Sequence, residues 1–163
     1  MRLIDSDGYG VELAIAGYQF PDHIDPRIRY GWLVIAGTAN CPAGTWSFRW
    51  QALTLDDTAE LADWLDRIAG QAQPGGAGHE AGRLSFTEPN LSFTALPDGG
   101  VVELRIGLDL EFSPPWQHRT EPGEPFVVTS RLTAPDIATA AKQLRAELAG
   151  YLPPRGRIPG RPR

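Results

Sequence analysis

From Val102 to Phe112 the chain alternates apolar and polar residues without a break. Val102, Leu104, Ile106, Leu108, Leu110 and Phe112 fall on one side of an extended strand, and Glu103, Arg105, Gly107, Asp109 and Glu111 on the other. The same period of two marks residues 2–5 and 11–16, a hairpin across Ser6-Asp7-Gly8-Tyr9-Gly10 with Val11, Leu13 and Ile15 on one face. A surface loop is expected over Asp22–Arg29, then a strand over 30–39 and another over 44–52. In the second of these Trp46, Phe48 and Trp50 point one way and Ser47, Arg49 and Gln51 the other. Two further strands are expected over 83–88 and 90–96, with Pro97-Asp98-Gly99-Gly100 as the turn into the long strand, and a last one around Phe126, Val128 and Leu132.

Two segments carry the helical period instead. Leu61, Trp64, Leu65 and Ile68 share one helical face, with Thr54 and Asp57 spaced as a capping box and Gly70 as the expected stop. Ile137, Ala141, Leu144 and Leu148 repeat the pattern behind Thr133 and Asp136. About eight strands and two amphipathic helices, without a βαβ rhythm, predict an α+β fold: an antiparallel sheet, curled or sandwich-like, with the helices packed on it. Residues 1–152 are expected to form a single α+β domain and 153–163 a basic, disordered tail. Gln71–Gly82, rich in glycine, reads as a flexible connection.

Composition narrows the chemistry. No window approaches the roughly 18 to 20 apolar residues of a membrane span, and the first residues carry charge where a signal peptide would be apolar, so the protein is expected to be cytoplasmic. Cys41 is the only cysteine, which leaves no intrachain disulfide and no thiolate cluster. Net charge is −5, but Arg155, Arg157, Arg161 and Arg163 are concentrated in the tail; with those four set aside, 11 basic residues stand against 20 acids. An acidic body would repel nucleic acid, so no direct nucleic-acid contact is expected.

Catalytic constellations are missing from the pattern. His23, His79 and His118 lie in loop-like segments without metal-ligand spacing, Gly75-Gly76-Ala77-Gly78 lacks the Lys-Ser/Thr of a phosphate loop, and no G-x-S-x-G motif surrounds Ser47, Ser85 or Ser92. Asp109 and Glu111, about 7 Å apart on one strand face, have the separation of a glycosidase pair, but any two polar residues at i and i+2 offer it. Neither enzyme activity nor a cofactor or metal is expected. Trp32, Trp46, Trp50 and Trp64 read as core, whereas Trp116, after two prolines at the end of the long strand, reads as a lid or an exposed anchor.

Five blocks in a fixed order carry a further signal: Gly17-Tyr18-Gln19-Phe20-Pro21, Gly31-Trp32-Leu33-Val34-Ile35, Gly44-Thr45-Trp46-Ser47-Phe48, Phe86-Thr87-Glu88-Pro89-Asn90-Leu91-Ser92-Phe93, and Glu111 through Pro114-Pro115-Trp116. From about Met1 to Pro154 this pattern resembles the WapI-type immunity family of bacteria. Tyr30-Gly31 stands where that family often has Asp or Asn before its Trp-Leu-Val block, and the arginine-rich tail lies outside the pattern. The resemblance implies a non-catalytic protein that binds and neutralises the C-terminal effector domain of a secreted toxin, in the founding system a nuclease acting on tRNA. An acidic body suits a basic nuclease surface. The partner-binding residues expected on that reading are Glu103, Asp109 and Glu111 on the exposed face of the long strand with Trp116 as apolar anchor, then Asp22 and Asp25 in the early loop. The alternative is a β domain that binds a small ligand or carbohydrate in a pocket lined by Trp46, Trp50 and Trp116. A hydrolase using Asp109 and Glu111 comes third and would need both acids at the bottom of a deep cleft.

Overall fold

A computed structural model describes residues 1–72, 82–98, 100–117 and 124–153. Eight strands form two four-stranded antiparallel sheets, each a meander in chain order. The first holds β1 (Arg2–Ile4), β2 (Gly10–Tyr18), β3 (Leu33–Cys41) and β4 (Gly44–Leu53); the second holds β5 (Gly82–Ser85), β6 (Leu91–Asp98), β7 (Val101–Leu108) and β8 (Phe126–Thr133). The predicted α+β class, antiparallel pairing and strand number all hold, and the two sheets stay open rather than closing on each other.

Alternation explains which face of each sheet is buried. Leu13, Ile15, Leu33, Ile35, Trp46 and Phe48 from the first sheet join Phe93, Leu104, Ile106 and Val128 from the second in one core. Two long helices complete it. Helix α2 (Leu55–Gln71) touches β4 of one sheet and β5 and β6 of the other; α3 (Ala134–Ala149) touches β1, β2 and β8, and the helices pack on each other. Both begin at the expected capping boxes. The Asp57 N–H donates to Thr54 Oγ1 at 3.1 Å and the Thr54 N–H to Asp57 Oδ2 at 2.9 Å, and Thr133 with Asp136 repeats the exchange. Each cap is worth about 1 kcal/mol by satisfying amides that no helical carbonyl reaches.

Several expectations need correction. The long strand stops at Leu108, because Asp109 turns the chain into a single 3-10 turn, Leu110–Phe112. Asp109 therefore does not lie on an exposed strand face with Glu103; it is only 7% exposed. Helix α2 passes Gly70 and ends at Gln71, with Ala72 as its cap. The early loop contains one helical turn, α1 (Pro26–Arg29), which Asp25 starts by accepting the Arg27 N–H at 2.8 Å and Pro26 favours through its fixed φ. Trp50 is 47% exposed rather than core. It follows Trp46 and Phe48 on the same face, but β4 is an edge strand, and the 3-10 turn that covers Trp46 and Phe48 lies toward the strand's other end. Trp32 is half-buried. His79, His118, most of the glycine-rich connection and the arginines of the tail lie outside the described residues.

Candidate functional site

Five segments meet at one end of the molecule: the β1–β2 turn, the β3–β4 turn, residues 86–90 between β5 and β6, residues 109–117 after β7, and the entry to β8. Antiparallel register puts Leu91, Leu108 and Phe126 side by side at that end of the second sheet, and Gly10, Asn40 and Thr45 at that end of the first. Trp46 joins the two ends. Its ring sits 5.3 Å from Phe126 and 5.4 Å from Trp116, both edge to face, and its indole N–H donates to the Phe112 carbonyl at 2.9 Å.

These segments bring together acids remote in sequence: Asp5, Asp7, Glu88, Asp109, Glu111 and Glu124. Among their described residues there is no lysine or arginine. Asp7, Glu111 and Glu124 are exposed. Among the described residues the result is an acidic pole that no single stretch of chain encodes, with Arg131 of β8 bordering it beside Asp5. At the other end of the first sheet, about 25 Å away along a nine-residue strand, Asp22 and Asp25 share their loop with Arg27 and Arg29.

The 3-10 turn is the strained element of this pole. Leu110 has φ +51°, the one positive φ at a non-glycine residue among those described, and a leucine pays about 1–2 kcal/mol to stay there. Buried groups hold it. The Leu110 N–H donates to Asp109 Oδ1 at 2.7 Å, the Asn90 amide donates to Glu111 Oε2 at 2.8 Å, and Phe112 is fully buried with its ring 4.3 Å from that of Phe48. The strain therefore holds a large apolar side chain, 40% exposed, at the surface beside Glu111.

Trp116 flanks the same surface. It is 38% exposed, with one side against Trp46 and its ring tip over Gly44, where an added Cβ would lie 2.9 Å from Cη2. It covers the end of the core and leaves one face exposed.

Of the expected site residues the structure brings Asp109, Glu111 and Trp116 together. Glu103 lies on the outer face of β7, ion-paired with Arg105 at 2.8 Å and opposite Arg131 of β8. With Arg83 also exposed, that face is more basic than acidic. Asp109 and Glu111 occupy a turn, and their carboxylates bond different partners, Leu110 and Asn90. Trp46, Trp50 and Trp116 do not line a common pocket, since Trp46 is buried and Trp50 stands four residues along the strand from it.

Two open grooves run along the outer edge of β8. One, about 480 Å³, separates it from β1 and α3. Most of its polar groups already bond each other: Gln143 accepts the Arg2 N–H, Asp5 accepts the Arg131 N–H, and Asp136 serves its capping box. The other, about 490 Å³, lies between β8 and the two hairpin turns of the first sheet. Among the described residues no three His, Cys, Asp or Glu side chains converge to hold a metal ion, and no helix is long and apolar enough to cross a membrane.

A family model described as the immunity protein WapI-like family matches residues 2–152 of the chain. No curated protein matches it.

Proposed function

The chain belongs to the WapI-like immunity protein family, and from that premise we propose that it neutralises the C-terminal nuclease domain of a secreted toxin by covering it with the acidic pole. The observation that carries this reading is the pinned turn at Leu110, where backbone strain holds an apolar side chain out beside Glu111. A nuclease surface that grips a polyanion is basic, so acidic surroundings accelerate encounter, and an apolar anchor slows release.

Within the pole Leu110, Glu111 and Trp116 are the contacting residues, and Asp109 positions them through its bond to the Leu110 amide. Asp7 and Glu124 contribute charge at the rim. Glu103 is a weaker candidate because Arg105 already neutralises it, and Asp22 and Asp25 belong to a balanced loop at the far end. The role is binding rather than catalysis, and it is exercised in the cytoplasm of the cell that makes the toxin.

The test is to identify a secreted toxin encoded next to this gene and titrate its effector domain by calorimetry at two salt concentrations, with cleavage of tRNA followed in parallel. Tight, salt-weakened binding that stops cleavage supports the reading. Binding that leaves cleavage intact would sink the blockade, and no binding would sink the pairing.

A further inference from the structure

Strand β8 ends the second sheet, with β7 on one side only. The bond from the Arg131 N–H to Asp5 Oδ2, 3.1 Å, shows that this amide points away from β7. Register is continuous from Phe126 to Thr133, so the amides and carbonyls of Thr129 and Val127 point the same way. Among the described residues neither has a hydrogen-bond partner on that side. Beyond them lies the groove of about 490 Å³, whose far wall is Tyr9, Cys41, Pro42 and Ala43, with Asp5 and Asp7 at its rim and Arg131, ion-paired with Asp98 at 3.5 Å, at one end. The side chain of Val127 is 49% exposed at its mouth.

An edge of this kind is specific about what it accepts. Two donors and two acceptors spaced along roughly 7 Å of strand match another extended backbone of three or four residues. Asp5 sets the limit. Its carboxylate is fixed by the amides of Asp7 at 3.0 Å and Tyr9 at 2.9 Å, and it occupies the Arg131 N–H, so pairing cannot run the whole length of β8. We infer that the outer edge of β8 at Val127 and Thr129 adds a short extended segment of the protein partner, one that carries a lysine or arginine toward Asp5 and Asp7. This rests on the partner reading above and goes beyond it by assigning backbone pairing and a site on β8.

A second copy of the chain is the competing occupant, and charge disfavours it. Antiparallel β8–β8 pairing centred on Val128 would bring Glu124 of the second copy to the strand end that Asp5 occupies, acid against acid, and would set the second copy's Pro125, which lacks an N–H, opposite Arg131.

The experiment is amide hydrogen exchange, residue by residue, on the free protein and on its complex with the effector domain, together with affinity of the Thr129→Pro variant. Proline is tolerated at an edge position whose N–H faces solvent, so the variant should keep the fold. The expected result is fast exchange at Val127 and Thr129 in the free protein, at least tenfold slower exchange in the complex, and about tenfold weaker binding of Thr129→Pro. A complex that leaves both amides exchanging as before would overturn this inference while leaving the partner reading intact. If no complex forms, both fall. Protection that instead grows with the concentration of the free protein would assign the edge to a second copy. Should Thr129→Pro fail to fold, the exchange data decide alone.

Discussion

Replacing Leu110 separates folding from binding in a way few surface positions allow. At φ +51° leucine and alanine carry the same left-handed penalty, about 1–2 kcal/mol, and glycine carries almost none. Ordinarily glycine is worse than alanine by about 0.5–1 kcal/mol through chain entropy; here the order should reverse. Leu110→Gly should then melt above Leu110→Ala by about 2–4 °C, the shift expected from about 1 kcal/mol in a chain of this size. Binding should fall in both. Covering the 40% of the leucine that is exposed, out of about 1.5–3 kcal/mol for full burial, contributes roughly 1 kcal/mol and so about fivefold in affinity. Thermal melts by circular dichroism and titration of the effector domain measure the two effects. An Ala variant more stable than the Gly variant would refute the strain, and a Gly variant that binds as tightly as the parent would refute the anchor.

Three other perturbations probe the supports. Asn90→Ala removes the amide that donates to Glu111 and should cost about 1–3 kcal/mol, read as a lower melting temperature with the turn's amides exchanging faster. Gly44→Ala sets a Cβ 2.9 Å from the Trp116 ring at φ +145° and should cost about 1–3 kcal/mol, with a red shift in tryptophan emission as Trp116 is displaced. The Tyr18 hydroxyl donates to the Tyr151 carbonyl, and burial, with Tyr30 and Tyr151 nearby, raises its pKa above the ordinary 10.0. A raised folded pKa on a group that ionises to an anion stabilises the fold below pH 10, and this contribution is lost as pH rises through 10 toward the folded value. Denaturant melts from pH 8 to 11 should therefore show a steeper alkaline loss in the parent than in Tyr18→Phe.

Much of this architecture is legible in the chain because local signals agree with it. Thr54 with Asp57 and Thr133 with Asp136 mark both helix starts to the residue, and the parity of apolar positions assigns the buried face of β2, of β4 as far as Phe48, and of β7. The error at Leu108 has a definite cause. Phe112 must reach the core, and continued alternation or a tight 3-10 turn satisfies that equally, so apolar spacing cannot tell them apart; the signal that could have done so is Asp109, a residue that favours turns by bonding the next amides. Trp50 misleads similarly, since parity gives direction but not whether anything lies in that direction. The acidic pole is illegible for another reason. Asp7, Glu111 and Glu124 share a surface only because of sheet order and the Trp46 contacts, which are long-range, whereas Glu103 looked acidic only until strand register put Arg131 opposite it.

The most direct test of the central claim is titration calorimetry of the effector domain against two charge-reversed variants, one carrying Asp7→Lys, Glu111→Lys and Glu124→Lys at the pole, the other Asp22→Lys and Asp25→Lys at the far loop. The pole variant should lose at least about tenfold in affinity along with most of its salt dependence, while the loop variant binds as the parent does; a pole variant with parental affinity, or a loss confined to the loop variant, would rule out binding through the acidic pole.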